Sequence, residues 1–351
     1  MCPPHRTIRV ALALAFSALS ACQARRDAAA PERPSGPTPY LVRYPLGLQA
    51  ESAVIPADNP MTVEKIRLGK RLFFDPILSL DDSISCASCH IPETAFADPR
   101  QFSDGVGGRK GDRNAPAVIN RIFSGPQFWD GRAASLEEQA LAPVQNPAEM
   151  AMPNLAFAIG KVQKDSAYLR EFRNAFPGEQ VITEKQVAQA LASFERTILS
   201  GDSPYDRFMS GDKTALSAAA VRGMTIFRDK DKGNCETCHV SFNFTDENYN
   251  NIGVGISAAN PDLGRYRISG LEGHQGAFKT PTLREVANTA PYMHDGSQRT
   301  LEEVIQFYEE GGHPNRWLSP KIKRFKLSRQ ERQDLVEFLR ALSGDVTWYG
   351  K

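Results

Sequence analysis

Histidine is scarce in this chain of 351 residues: there are six, and none lies between His90 and His239. An excess of one charge is also missing, since 42 Lys and Arg face 41 Asp and Glu for a net charge of +1. That balance gives no electrostatic case for nucleic acid or an acidic membrane surface as a partner. The apolar run Val10–Leu19 is too short to cross a bilayer by itself. No segment alternates apolar and polar residues for long enough to support a substantial sheet. What remains is a composition of 41% apolar and 24% charged residues, typical of a globular protein with sequence for two ordinary domains.

Cysteine is used sparingly but not at random. Four of the six form Cys86-Ala87-Ser88-Cys89-His90 and Cys235-Glu236-Thr237-Cys238-His239, and both read C-x-x-C-H, the attachment signature of a c-type haem. Each thiol of such a pair can add to a haem vinyl group, and the adjacent histidine then lies under the iron. The second copy stands 149 positions after the first, which makes chance improbable and predicts two covalently bound haem c groups. A zinc ribbon built from the two C-x-x-C pairs and a pair of disulfides are the competing readings. A ribbon needs no histidine after each pair and normally brings its pairs closer together.

Residues 1–22 read as an export signal, with a basic start at His5, Arg6 and Arg9. It ends in Leu19-Ser20-Ala21-Cys22, which resembles a bacterial lipobox with Cys22 as the lipidated residue. This implies a periplasmic protein anchored by lipid to the outer membrane. Residues 23–55, with Pro31, Pro34, Pro37 and Pro39, read as a flexible tether. Helices are expected over Thr62–Phe74, Ser135–Leu141 (stopping at Pro143), Thr183–Leu199, Ser217–Phe227, Thr300–Glu309 and Ser328–Leu342. Capping boxes are expected at Ser135/Glu138, Thr183/Gln186, Thr300/Glu303 and Ser328/Glu331. Phe96–Asn120, rich in Gly, Asp, Arg and Pro, reads as a long loop. The fold class is therefore mainly α: two cytochrome-c-like haem domains, 56–203 and 204–351, with the active-site region near their interface.

From about residue 56 onward the chain resembles the bacterial di-haem cytochrome c peroxidase and MauG family. The matching segments are LGKRLFFDPILS before the first motif, NAPAVIN at 114–120, FWDGRAASLEEQALAPVQNPAEM at 128–150 and FKTPTLREVANTAPYMHDG at 278–296. The resemblance implies that His90 and His239 are proximal iron ligands, the first of the peroxide-reacting haem and the second of the electron-transfer haem. It implies that Trp129 relays electrons between the haems, and that Gln139 and Glu149 serve the distal pocket of the first. These three keep the family's spacing of ten. Moving a proton between the peroxide oxygens calls for a carboxyl such as Glu149, and an amide such as Gln139 can hold peroxide by hydrogen bonds. It further implies a calcium ion held by the Asn114 side chain and the carbonyls of Thr289 and Pro291, an all-oxygen set that suits Ca²⁺.

Two departures point to the MauG- or MbnH-like branch. Family members that need reductive activation carry a histidine in the loop after the first motif, whereas 102–108 here reads Phe-Ser-Asp-Gly-Val-Gly-Gly. The first haem is therefore expected to be open at rest. The peroxidases place a methionine ligand fourteen residues beyond the histidine of their P-Y-x-H-D-G segment, and here that position is Tyr308. An anionic oxygen donor favours ferric and higher states; Met293 and His294 are rival ligands to the same iron. The implied function is an oxidoreductase that reacts with H2O2 to form a high-valent haem pair and oxidises a protein partner by long-range electron transfer. The alternatives are a peroxidase fed by a small cytochrome and, further off, a non-catalytic carrier or haem sensor. Trp317 and Trp348 are candidate surface relay points, although isolated aromatics more often serve packing.

Overall fold

The computed structural model describes Met1 and residues 36–351. Apart from Met1, the expected signal, Cys22 and the first part of the tether lie outside the described residues. The second part of that tether is not loose. From Thr38 it is held to the body: Tyr40 N donates to Met61 O at 3.0 Å, Val63 N to Thr38 O at 2.9 Å and Val54 N to Ile122 O at 2.8 Å. The folded region thus begins near Thr38 rather than Pro56. Proline spacing alone does not reveal that the backbone of 38–54 finds partners elsewhere in the chain.

Residues 36–351 form one compact unit of short helices. In chain order these are α1 (Val63–Phe74), α2 (Leu136–Gln145), α3 (Leu155–Lys164), α4 (Ser166–Ala175), α5 (Glu184–Glu195), α6 (Pro204–Met209), α7 (Ala218–Arg228), α8 (Tyr266–Ser269), α9 (Leu301–Glu309) and α10 (Arg329–Arg340). Strand content is small: β1 (Leu199–Gly201) pairs antiparallel with β4 (Asp345–Thr347), and β2 (Tyr249–Asn250) with β3 (Phe278–Lys279). Two hydrophobic clusters carry the packing. One holds Ile66, Leu72, Phe73, Leu191 and Phe194 around α1 and α5; the other holds Phe227, Leu335, Phe338 and Leu342 around α7 and α10.

The two clusters share a building plan. A helix leads into each C-x-x-C-H motif and is crossed by a later helix at a glycine. A Cβ on Gly69 of α1 would lie 1.8 Å from Ala190 O of α5, and one on Gly223 of α7 would lie 1.9 Å from Asp334 O of α10. Only hydrogen at these positions permits such close backbone approach. The boxes at Thr183, Thr300 and Ser328 form as read, each side chain accepting from the third backbone N–H and each Gln or Glu returning the bond. Ser135 accepts from Glu138 N, but the Glu138 carboxylate reaches one residue further back, to Ala134 N at 2.7 Å.

Helix ends differ from expectation in two places. α2 runs past Pro143 to Gln145, because a proline so close to the helix end removes little intrahelical bonding. α5 stops at Glu195, since Leu199–Gly201 is taken up by pairing with Asp345–Thr347. That pairing also alters the division at 203/204. The tail of the second half returns to the first core, where Val346, Trp348 and Tyr349 pack. Trp348 meets Phe96 edge-on at 5.1 Å, so it is a packing residue of the first cluster.

Candidate functional site

Each C-x-x-C-H motif is a tight turn that follows its leading helix, Cys86 after α1 ends at Phe74 and Cys235 after α7 ends at Arg228. The turns close alike, with His90 N donating to Cys86 O at 3.0 Å and His239 N to Cys235 O at 2.9 Å. Each ring is then fixed by one backbone carbonyl: His90 Nδ1 pairs with Phe96 O at 3.2 Å and His239 Nδ1 with Phe244 O at 3.0 Å. Both acceptor residues adopt left-handed backbone, φ 58° at Phe96 and 51° at Phe244. Engaging Nδ1 leaves Nε2 as the ligating nitrogen. Burial holds both imidazoles below their ordinary pKa, hence in the neutral, electron-donating form.

No disulfide joins the four motif cysteines, and among the described residues no three His, Cys, Asp or Glu converge to hold a metal. Neither disulfides nor a zinc ribbon therefore accounts for the pairs. Burial pushes every one of these thiols upward, Cys235 to about 12. Each motif instead opens on its own cavity, of about 200 Å³ beside His90 and about 440 Å³ beside His239. Two paired thiols, a fixed imidazole and a cavity against all three suit a covalently attached haem at each place.

The first cavity gathers Gln139 of α2, Glu149 and the loop residues Ser103, Asp104 and Gly105 around Cys86, Cys89 and His90. Asn146 Nδ2 donates to Glu149 Oε1 at 2.6 Å, yet burial outweighs that bond and raises the carboxyl above its ordinary value. The loop is fastened to the same segment: Val106 N donates to Glu149 O at 2.8 Å and Arg109 to Pro147 O at 3.0 Å. No room exists there for a side chain at Gly105, whose Cβ would lie 2.1 Å from Ala148 O.

The second cavity brings Tyr308 of α9 together with His239, and Met293 and His294 line it as well. All three rival ligands are thus present. Burial raises the Tyr308 phenol, and the Cys235 and Cys238 thiols add to the effect, so it lies close to the motif. The His294 ring stacks on Phe278 at 3.5 Å and is pushed down to about 4, first by burial. Met293 has φ 73°, an unfavourable conformation outside glycine.

Trp129 belongs to the walls of both cavities. Its indole Nε1 donates to Asn114 O at 2.8 Å, and its carbonyl accepts from Lys279 N at 2.8 Å. Asn114, Thr289 and Pro291 line the larger cavity together. The Asn114 amide nitrogen donates to the carbonyls of Arg100 and Gln101 at 3.0 and 3.3 Å, which leaves Oδ1 as the acceptor side. That donor set suits a hard cation. Trp317 lies apart from both cavity walls, beside Arg316 at 5.7 Å. Among the ionisable wall residues that the sequence does not mark are Arg121, Glu195 and Lys279. Each sits in an apolar stretch or a quoted motif with nothing local to mark it as a pocket residue.

Comparison with known proteins gives a consistent result. Residues 63–214 match the family model of the di-haem cytochrome c peroxidases. The chain is 40% identical to the methylamine utilization protein MauG of Methylophilus methylotrophus over 296 residues, covering 84% of this chain and 87% of that one. It is 34% identical to the cytochrome c551 peroxidase of Pseudomonas aeruginosa over 294 residues, 82% of this chain and 80% of that one. Among solved structures, a MauG-like protein associated with microbial copper homeostasis superposes with a TM-score of 0.80 at 33% identity, covering 87% of this chain and 96% of that chain.

Proposed function

The chain belongs to the di-haem cytochrome c peroxidase family, and on that premise we propose that it is a MauG- or MbnH-like enzyme that spends the oxidising power of H2O2 on a protein partner. As a member it is an enzyme of two c-type haems. Held at His90 and His239, the haems supply the iron that peroxide oxidises and that a partner reduces. The remaining steps fall to the chain. Gln139 holds peroxide by hydrogen bonds in the smaller cavity. Glu149, its proton affinity raised by burial and its carboxyl positioned by Asn146, accepts the proton from one peroxide oxygen as the carboxylate and returns it to the other. Trp129, in both walls, is the electron relay, and Tyr308 would supply a phenolate oxygen to the iron of the haem held at His239.

The observation that carries this reading is Tyr308 beside the second motif, combined with a first-pocket loop that offers Ser103, Asp104 and Gly105 and no imidazole. Under this reading residues 56–203 bear the peroxide-reacting haem and 204–351 the electron-transfer haem, with the active region where they meet. A calcium ion sits at Asn114, Thr289 and Pro291. Cys22 anchors the exported protein by lipid to the periplasmic face of the outer membrane. A second reading, a peroxidase fed by a small cytochrome, draws support from Met293 in the same cavity and from the cytochrome c551 peroxidase relative.

The absorption and electron paramagnetic resonance spectra of the resting ferric protein distinguish them. One high-spin haem and one low-spin His/Tyr haem are expected, whereas His/Met signals would sink the MauG assignment. Slow turnover with reduced cytochrome c and peroxide is expected alongside; rapid turnover would favour the second reading.

A further inference from the structure

Arg121 and Lys279 both line the junction of the two cavities, next to Trp129. Lys279 is 6% exposed and pairs with Glu247 while also donating to Pro126 O. Glu247 accepts in addition from the Ser124 hydroxyl at 2.7 Å. Arg121 is less well provided. Its Nε donates to Gln127 Oε1 at 2.9 Å, and among the described residues no carboxylate forms an ion pair with its guanidinium. Glu195 lies near enough to feel Arg121, yet burial raises it to about 8, so it stands protonated at neutral pH and neutralises nothing. The Glu137 carboxylate is engaged by Arg196 at 2.7 and 3.0 Å. Two cations in one apolar wall repel each other, and burial with the Arg121 charge holds Lys279 down at about 8. With Glu247 taken by Lys279, it is the partly buried Arg121 charge that lacks a carboxylate, and such a charge is costly unless an anion completes it.

Each c-type haem carries propionate carboxylates, and a porphyrin filling either cavity would meet this wall. We propose that Arg121 and Lys279 bind the carboxylates of the two haems where the cavities join and thereby set the electrostatic coupling between them. The proposal rests on haem filling both cavities. A guanidinium offers a fork of donors suited to carboxylate, and at the junction it can face one carboxylate from each side. A cation shared in this way favours the reduced form of both irons, because reduction removes positive charge from each centre.

The test uses the haem-loaded full chain with Arg121→Gln, Arg121→Lys, Lys279→Gln and the exposed control Lys185→Gln. Haem content, midpoint potentials from spectroelectrochemical titration and the propionate bending band in resonance Raman spectra are recorded. Arg121→Gln and Lys279→Gln should keep both haems covalently attached, lower both midpoint potentials and shift the propionate band. Arg121→Lys should restore most of the change, and Lys185→Gln should resemble the parent. Parent-like potentials and band in Arg121→Gln, or in Lys279→Gln if the former does not accumulate, overturn the proposal. So does an Arg121→Lys shift as large as that of Arg121→Gln. Fewer than two haems in the parent protein would instead strike at the premise that both cavities are filled.

Discussion

The His90 and His239 pockets share a scaffold and differ in what completes it. Both have a leading helix crossed at a glycine, a C-x-x-C-H turn, and an imidazole held by the carbonyl of a phenylalanine with left-handed backbone. On the ligand side the smaller cavity offers an amide and a carboxyl, Gln139 and Glu149, while the larger offers phenol, thioether and imidazole at Tyr308, Met293 and His294. A carboxyl and an amide can move and hold protons but are poor partners for haem iron. A phenolate binds iron and blocks small molecules. Identical attachment chemistry is therefore compatible with division of labour, which under the proposed function falls to the side chains facing each cavity.

The comparison breaks most sharply at Glu149. Glu149→Gln should slow the reaction with peroxide by roughly a hundred- to ten-thousand-fold in stopped-flow mixing, with both haems still attached; an unchanged rate removes Glu149 from its role. Tyr308→Met should act on the other pocket alone. The second haem's ferric spectrum should change to His/Met type and its midpoint potential rise, with peroxide binding at the first pocket preserved. A spectrum identical to the parent would hand the ligand role to Met293 or His294.

The shared scaffold can be tested by stability. Gly69→Ala and Gly223→Ala each force a methyl into a backbone carbonyl and should cost about 1–3 kcal/mol in denaturant melts, each releasing its own helix crossing. A neutral substitution at either site would show that the crossing can give. A further test concerns Glu195, which burial lifts from 4.5 to about 8. The folded state keeps a proton there that the unfolded chain gives up. Its contribution to stability is therefore complete below the unfolded value and declines as pH rises toward about 8. Glu195→Gln should flatten that decline across neutral pH, and melts with unaltered pH dependence would refute it.

Much of this arrangement is legible in the sequence, for identifiable reasons. The haem motifs are short-range and chemically obligatory, and the Thr183, Thr300 and Ser328 caps depend on neighbours three residues away. α3 and α4 escaped because they meet end to end at Asp165, which closes one helix and caps the next, so no apolar stripe runs long enough to stand out. The positions of Trp129, Gln139 and Glu149 were legible only through family spacing, since no local pattern separates a pocket carboxylate from a surface one. Arg121 and Lys279 were not legible at all. Cations in apolar surroundings read as surface residues until the fold shows what they face.

The clasp of β1 on β4 has a consequence for the order in which the protein can mature. Ser200 pairs with Val346, 146 residues further along the chain, and Trp348 then closes on Phe96, the residue whose carbonyl orients His90. A chain delivered N-terminus first presents Cys86 and Cys89 long before that lid arrives. The first haem can thus be installed in a half-built pocket, and the arrival of 345–349 seals it. Contacts of such long range form late, so the His90 side of the first pocket is among the last parts of the molecule to set.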